Sequence, residues 1–268
     1  MIGLLDCNNF YVSCERLFNP KLLEKPVIIL SNNDGCVISR SEEAKQIGVK
    51  MGEPFFKLKK FIIDNNISVL SSNYSFYGDI SNRIMNILKK NLPIVEVYSI
   101  DEAFFILDLK NERDIFCNKL AKKILKWTGI PVSIGLAKTK TLAKIANRVI
   151  KKKSQYPYLK IDNHSIFELR SKKLADYILQ RTNVHDIWGI GSKLAKFLMD
   201  NGVNNAFDLR EFNESFARKK KGVVLQRSIL ELKGVICNEV EKESAKKKSI
   251  CVSRSFGMKL SAYKDIKS

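Results

Sequence analysis

Val95-Glu96-Val97-Tyr98-Ser99-Ile100-Asp101-Glu102-Ala103-Phe104-Phe105-Ile106-Leu107 is the stretch on which the reading of the fold turns. Val95–Ile100 and Ala103–Leu107 are apolar runs of strand length, and Ile100-Asp101-Glu102 forms a tight turn between them. Upstream, residues 79–90 place Ile80, Ile84, Ile87 and Leu88 on one helical face. Downstream, residues 114–127 read as an amphipathic helix, with Phe116, Leu120, Ile124 and Trp127 as its apolar stripe and Lys119, Lys122, Lys123 and Lys126 facing water. Gly129 stops that helix and Pro131 guards its exit. Residues 132–136 are a further strand, and a cationic helix follows from about Lys140 to Lys153.

At the start of the chain, Ile2–Asp6 reads as a strand, followed by a turn at Asn8-Asn9 and a helix carrying Phe10, Cys14, Leu17 and Phe18. Strand, helix, strand, strand, helix, strand is the ferredoxin-like order of an α+β domain, and residues 8–78 are an insertion after its first strand. Within the insertion, residues 27–30 and 35–39 are short strands around Asn32-Asn33-Asp34-Gly35, and Ser41 opens a short helix that Gly48 stops. From about Phe167 onward the pattern is helical, with no clear strand before Ile250. Lys246-Lys247-Lys248 reads as a solvated linker, and Ile250–Phe256 starts a strand of a further domain.

Composition narrows the classes. With 268 residues and 45% hydrophobic content the chain can bury a core, and its 13 Gly and 6 Pro exclude collagen-like and wholly disordered readings. No apolar run approaches the ~18 residues of a membrane span, and residues 1–7 lack the basic start of a signal peptide. The six cysteines are scattered without a C-x-x-C pair, which points away from zinc and disulfide frameworks and toward a reducing cytoplasm. A formal net charge of +19 favours an anionic partner, nucleic acid first.

The split β-α-β topology brings distant acids together. The third strand lies between the first and second and runs antiparallel to both, so Asp6, ending the first strand, shares an edge with the turn that carries Asp101 and Glu102. Three carboxylates on one edge repel one another, and a divalent cation such as Mg²⁺ or Mn²⁺ relieves the repulsion; the other reading is of ordinary exposed turn residues. Cys7 has no neighbouring His, so its backbone carbonyl is better placed as a metal ligand than its thiol is as a nucleophile.

Lys140, Lys144, Arg148 and Lys151 share one helical face, which reads either as a solvated basic face or as cations rising toward the carboxylate edge, with Lys151 nearest. Phe10-Tyr11 is either a core aromatic pair or a ring under a sugar that senses a 2′-hydroxyl. Ser39, Arg40 and Lys45 in the insertion can form a lid over a triphosphate. Gly189-Ile190-Gly191-Ser192-Lys193 fits a helix-hairpin-helix whose backbone N–H groups grip a DNA phosphate.

Asp6-Cys7-Asn8-Asn9-Phe10-Tyr11, Ser31-Asn32-Asn33-Asp34-Gly35-Cys36-Val37, Ser72-Asn73-Tyr74, Tyr98-Ser99-Ile100-Asp101-Glu102-Ala103 and Lys138-Thr139-Lys140-Thr141-Leu142-Ala143-Lys144 together resemble the Y-family translesion DNA polymerases, from Met1 to about Gly257. The resemblance implies a palm (1–10 and 73–158), an inserted small fingers domain (11–72), a helical thumb (159–240), a linker (241–249) and the start of an incomplete little finger (250–268). It implies error-prone, template-directed DNA synthesis in SOS-type repair, with Asp6, Asp101 and Glu102, and the Cys7 carbonyl beside them, around two Mg²⁺. Tyr11 becomes the steric gate beside Phe10, and Lys151, Arg40 and Lys45 face the triphosphate, with Ser39 next to them. Lys140, Lys144, Gly189, Gly191 and Lys193 become DNA contacts. The implied partners are primed DNA and dNTP, with a UmuD-type accessory protein, RecA and a sliding clamp, and no membrane. Two rivals remain at this point: a nucleotidyl cyclase, which shares such a palm but needs no DNA, and a catalytically silent DNA-binding remnant.

Overall fold

The structure, a computed structural model, describes residues 1–109, 111–159, 165–241, 249–250 and 263–264. In chain order the strands are β1 (Ile2–Cys7), β2 (Val27–Leu30), β3 (Val37–Arg40), β4 (Ser68–Ser71), β5 (Val95–Val97), β6 (Glu102–Ile106), β7 (Val132–Ala137) and β8 (Ile166–Glu168). The helices are α1 (Phe10–Phe18), α2 (Glu42–Gln46), α3 (Phe55–Asp64), α4 (Tyr74–Asn91), α5 (Arg113–Thr128), α6 (Lys140–Lys151), α7 (Lys172–Gln180), α8 (Ser192–Asp200), α9 (Ala206–Glu211), α10 (Glu214–Lys221) and α11 (Val223–Leu232). The described residues divide into two compact units, Met1–Asn8 with residues 81–241, and Asn9–Ile80.

The first unit is built on a sheet in the order β5-β6-β1-β7-β8. As the sequence requires, β6 lies between β5 and β1 and is antiparallel to both, and β7 flanks β1 on its other side, also antiparallel. Every residue of β1 and β7 is buried, which is why both read as continuous apolar runs and not as alternating ones. Two glycines permit the packing. A Cβ on Gly3 would lie 2.2 Å from the Phe105 ring, and one on Gly135 would lie 2.4 Å from both the Ala143 carbonyl oxygen and the Asn147 nitrogen. Gly135 therefore lets α6 settle against the sheet, with Asn147 Nδ2 donating to the Leu4 and Ser133 carbonyls at 3.3 and 3.0 Å. The apolar side of α6 (Leu142, Ile145, Ala146, Val149) joins one core with Ile2, Leu4 and Phe104 from the sheet and Leu198, Leu209, Leu225 and Ile229 from the helices beyond residue 170.

The structure corrects the sequence reading in several places. Residues 166–168 form β8, parallel to β7, where a helical pattern was expected. Three residues carry no periodicity of their own, and it is the exposed edge of β7 that makes them a strand. The strand expected over Val95–Ile100 ends at Val97, and Glu102 already belongs to β6. Trp127 is 61% exposed, and the buried stripe of α5 is Cys117, Leu120, Ala121 and Ile124. The expected strand 250–256 lies outside the described residues but for Ile250. Among the described residues no helix is long and apolar enough to cross a membrane.

The second unit carries a three-stranded sheet, β3-β2-β4, with β2 antiparallel to β3 and parallel to β4. Ser41 caps α2 as expected, accepting from the Ala44 nitrogen at 3.2 Å. The strand β4 and helix α3 were not read from the sequence. Leu58 of α3 and Ile67, just before β4, close a small core with Ile28, Leu30, Val37, Ala44 and Val49.

Candidate active site

Asp6 and Glu102 face each other across the β1–β6 ladder as register partners. Asp6 is 7% exposed. Its carboxyl is pushed up from 3.8 to about 7, first by burial and further by the neighbouring Glu102 charge, against the opposing pull of Lys151. Two ammonium groups from α6 supply the counter-charge: Lys151 Nζ lies 2.5 Å from Asp6 Oδ2, and Lys144 Nζ lies 2.8 Å from Glu102 Oε2.

Asp101 reaches the same edge through its backbone, its carbonyl oxygen accepting from the Cys7 nitrogen at 2.9 Å. Its side chain does not join the pair. Asp101 Oδ1 accepts from Ser99 Oγ at 2.6 Å, and Ser99 Oγ in turn accepts from the Glu102 nitrogen at 3.0 Å, so Ser99 fixes the turn. The backbone thus brings three acids to one edge as the sequence reading expected, but the carboxylates themselves converge as two. Among the described residues no three Asp, Glu, His or Cys side chains are grouped to hold a metal.

The stripe on α6 resolves residue by residue. Lys140 is buried at 5% exposure, with both Glu96 carboxylate oxygens 2.7 Å from its Nζ, so its ammonium is not at the surface where a phosphate contact was expected. Arg148 Nη2 bonds Asp186 Oδ2 at 2.5 Å, while its buried Nε has no hydrogen-bond partner. Together Asp6, Glu102, Lys144, Arg148, Lys151, Lys152, Asp186 and Trp188 line a cavity of about 320 Å³. Lys152 and Asp186 were not singled out from the sequence, and Trp188 stands beside the glycines that were.

The loop before α8 is arranged around its first glycine. Gly189 has φ +84°, a left-handed conformation that favours glycine, whereas Gly191 is extended and serves as the N-cap of α8 with no side-chain cap bond. Gly189, Gly191 and Lys193 are all exposed.

In the second unit, Phe10 is buried and Tyr11 is half-buried. The Tyr11 ring stacks on Tyr77 at 4.4 Å between centroids and 18° between planes. Tyr77 is locked in turn, its hydroxyl donating to Glu15 Oε1 at 2.7 Å. Lys45 Nζ bonds Asn9 Oδ1, just before Tyr11, and Glu42 Oε2 at 3.1 Å. Ser39 is buried in β3. Arg40 Nη1 donates to the Val49 carbonyl at 2.5 Å, and the buried Arg40 Nε has no hydrogen-bond partner.

A split β-α-β sheet with an acid pair at one end, and a helical region following it in the chain, is an architecture shared with Y-family DNA polymerases of known structure. A Y-family DNA polymerase chimera superposes with TM-score 0.75 at 26% identity, covering 92% of this chain and 71% of that one. DinB from Sulfolobus solfataricus gives TM-score 0.71 at 28% identity, over 90% and 70% of the two chains. The chain belongs to the impB/mucB/samB family, whose sequence profile matches residues 5–148. Protein UmuC of Salmonella typhimurium is 42% identical over 100% of this chain, which spans 63% of that relative's length.

Proposed function

We propose that this chain carries the nucleotidyl-transfer core of an error-prone, template-directed DNA polymerase, adding a dNTP to a primer 3′-hydroxyl. The observation that carries the reading is the cavity where the buried Asp6 and its register partner Glu102 meet Lys144, Arg148, Lys151 and Lys152. Acids and cations lining one cavity suit a polyanionic substrate held through divalent cations. The donor set fits Mg²⁺: an all-oxygen set of carboxylates, one of them, Asp6, buried and pushed up in pKa chiefly by that burial. Asp6, Glu102 and the Cys7 carbonyl are the groups that would hold it, with Asp101 joining them once its carboxylate turns from Ser99. Bound there, two Mg²⁺ supply Lewis acidity toward the primer hydroxyl and the triphosphate.

The chain's own groups do the rest. Lys151, already at Asp6, is in reach of phosphates brought to that carboxylate, and Arg40 and Lys45 in the insertion bind the triphosphate beside Ser39. Tyr11, held by its stack on Tyr77, sets a rigid ring against the sugar and rejects a 2′-hydroxyl, with Phe10 as its core support. The N–H groups of the first turn of α8, which follows Gly191, together with Lys193, bind a DNA phosphate. In this reading residues 1–10 and 73–158 are the palm, 11–72 the fingers and 159–240 the thumb. A UmuD-type protein, RecA and a sliding clamp complete the proposed partners of the whole protein.

Primer extension with Mg²⁺ on a primed template tests the reading. Asp101→Ala should abolish nucleotide addition and leave DNA affinity within two-fold. Full-rate addition by that variant refutes the site.

A further inference from the structure

Lys144 is surrounded more closely than a simple ion pair requires. Its Nζ donates to Glu102 Oε2 at 2.8 Å. The same ammonium lies 4.7 Å from the Tyr98 ring centroid, 5.6 Å from Trp188 and 5.8 Å from Phe104. The three rings pack on one another, with centroids 5.5 Å apart for Tyr98–Phe104, 5.6 Å for Tyr98–Trp188 and 5.9 Å for Phe104–Trp188. Trp188 Nε1 donates to the Tyr98 hydroxyl at 3.0 Å, which fixes the indole plane. Tyr98 follows β5, Phe104 lies in β6, and Trp188 precedes Gly189.

Ring faces attract a cation through their quadrupole, and the attraction grows as the cation loses water. Lys144 is 18% exposed and Glu102 is 19% exposed, so both have lost most of their hydration. The rings replace the water around the ammonium, while the carboxylate takes one of its three protons. A lysine on a flexible stem ordinarily samples several rotamers. Here Glu102 and Phe104 from β6, Tyr98 after β5 and Trp188 before α8 surround it.

We propose that Trp188 is a positioning residue for Glu102 and acts through Lys144. The box of Tyr98, Phe104 and Trp188 holds the ammonium, and the ammonium holds the carboxylate. The inference rests on the assignment of Glu102 to the nucleotidyl-transfer site. It also ties that site to the loop proposed to grip DNA, because Trp188 is the residue before Gly189. A loop settled on a phosphate backbone keeps Glu102 aimed, and a displaced loop releases it.

The test is a double-mutant cycle on the protein alone, by urea unfolding, between Trp188→Leu and Glu102→Gln. The bonds and ring contacts of Trp188 go to Tyr98, Phe104 and Lys144, so coupling to Glu102 must pass through them. The folding equilibrium constant of the double variant should differ from the product of the singles by about five-fold, as expected for one cation–π contact. In a Lys144→Met background the coupling should vanish. Trp188→Phe, which keeps a ring face, should retain part of it and carries the cycle if the leucine variant does not fold. As a spectroscopic check in a Trp127→Phe background, Lys144→Met should shift the Trp188 emission. In single-turnover addition, Trp188→Leu should lower the maximal rate about ten-fold, with dNTP and DNA affinity within two-fold. An additive cycle, or a coupling that survives Lys144→Met, overturns the proposal. A parent chain that adds no nucleotide refutes the polymerase reading instead, and the cycle still decides the box.

Discussion

Replacing Glu231 by alanine should loosen the joint between α11 and α6. The Glu231 side chain is fully buried. Its Oε2 accepts from the Thr141 nitrogen at 2.9 Å and from Thr141 Oγ1 at 2.6 Å, and its Oε1 accepts from the Asn238 nitrogen at 2.9 Å and Asn238 Nδ2 at 3.0 Å. The carboxylate therefore sits in the first turn of α6, where the helix dipole favours a negative charge. Alanine removes all of these bonds. Thr141 is 2% exposed, so its N–H is left without water, at about 1–3 kcal/mol. The vacated volume and the remaining charge-assisted bonds bring the loss to about 3–5 kcal/mol. At about 2–4 °C per kcal/mol for a chain of this size, the melting temperature should fall by roughly 10 °C. Glu231→Gln keeps the volume but turns an NH₂ toward one set of donors, and should cost about 1–3 kcal/mol. Thermal melts followed by circular dichroism, with urea melts beside them, measure both. A melting temperature for Glu231→Ala within about 2 °C of the parent would refute the reasoning.

Three further predictions concern the site and its surroundings. Tyr11→Ala should admit ribonucleotides while retaining dNTP addition; a ribonucleotide preference equal to the parent's makes the Tyr11–Tyr77 stack purely structural. DNA affinity should fall steeply with salt, with a log–log slope of roughly −0.7 to −0.9 per phosphate neutralised, and a flat titration would remove nucleic acid as the partner of the +19 charge. The thiols of Cys14 and Cys117 are both pushed up to about 12, chiefly by burial and further by nearby acids, Glu15 and Glu168 respectively. In mildly alkaline buffer neither should be alkylated until the protein unfolds, and timed alkylation with peptide mapping checks this.

Much of this molecule is legible in short stretches of sequence. The apolar runs of β1, β6 and β7, the stops at Gly129 and Pro131, the Ser41 cap and the acid turn at Asp101-Glu102 are local signals, because strand burial, turn chemistry and capping act over a few residues. Their order alone led to the ferredoxin-like sheet and put Asp6 on one edge with the turn that carries Asp101 and Glu102. The stripe on α6 shows where local signals end. Lys140, Lys144, Arg148 and Lys151 have the same spacing whether they face water, phosphate or carboxylates, and helical periodicity is blind to the difference. Only the packed sheet and the loop before α8 brought Glu96, Glu102, Asp186 and Asp6 to meet them. Tertiary structure likewise closed three rings around Lys144 and made a strand of residues 166–168 beside β7. Sequence fixes which residues can be buried or charged, through interactions between near neighbours. Which charge meets which is decided by the groups that packing sets opposite, and those come from far along the chain.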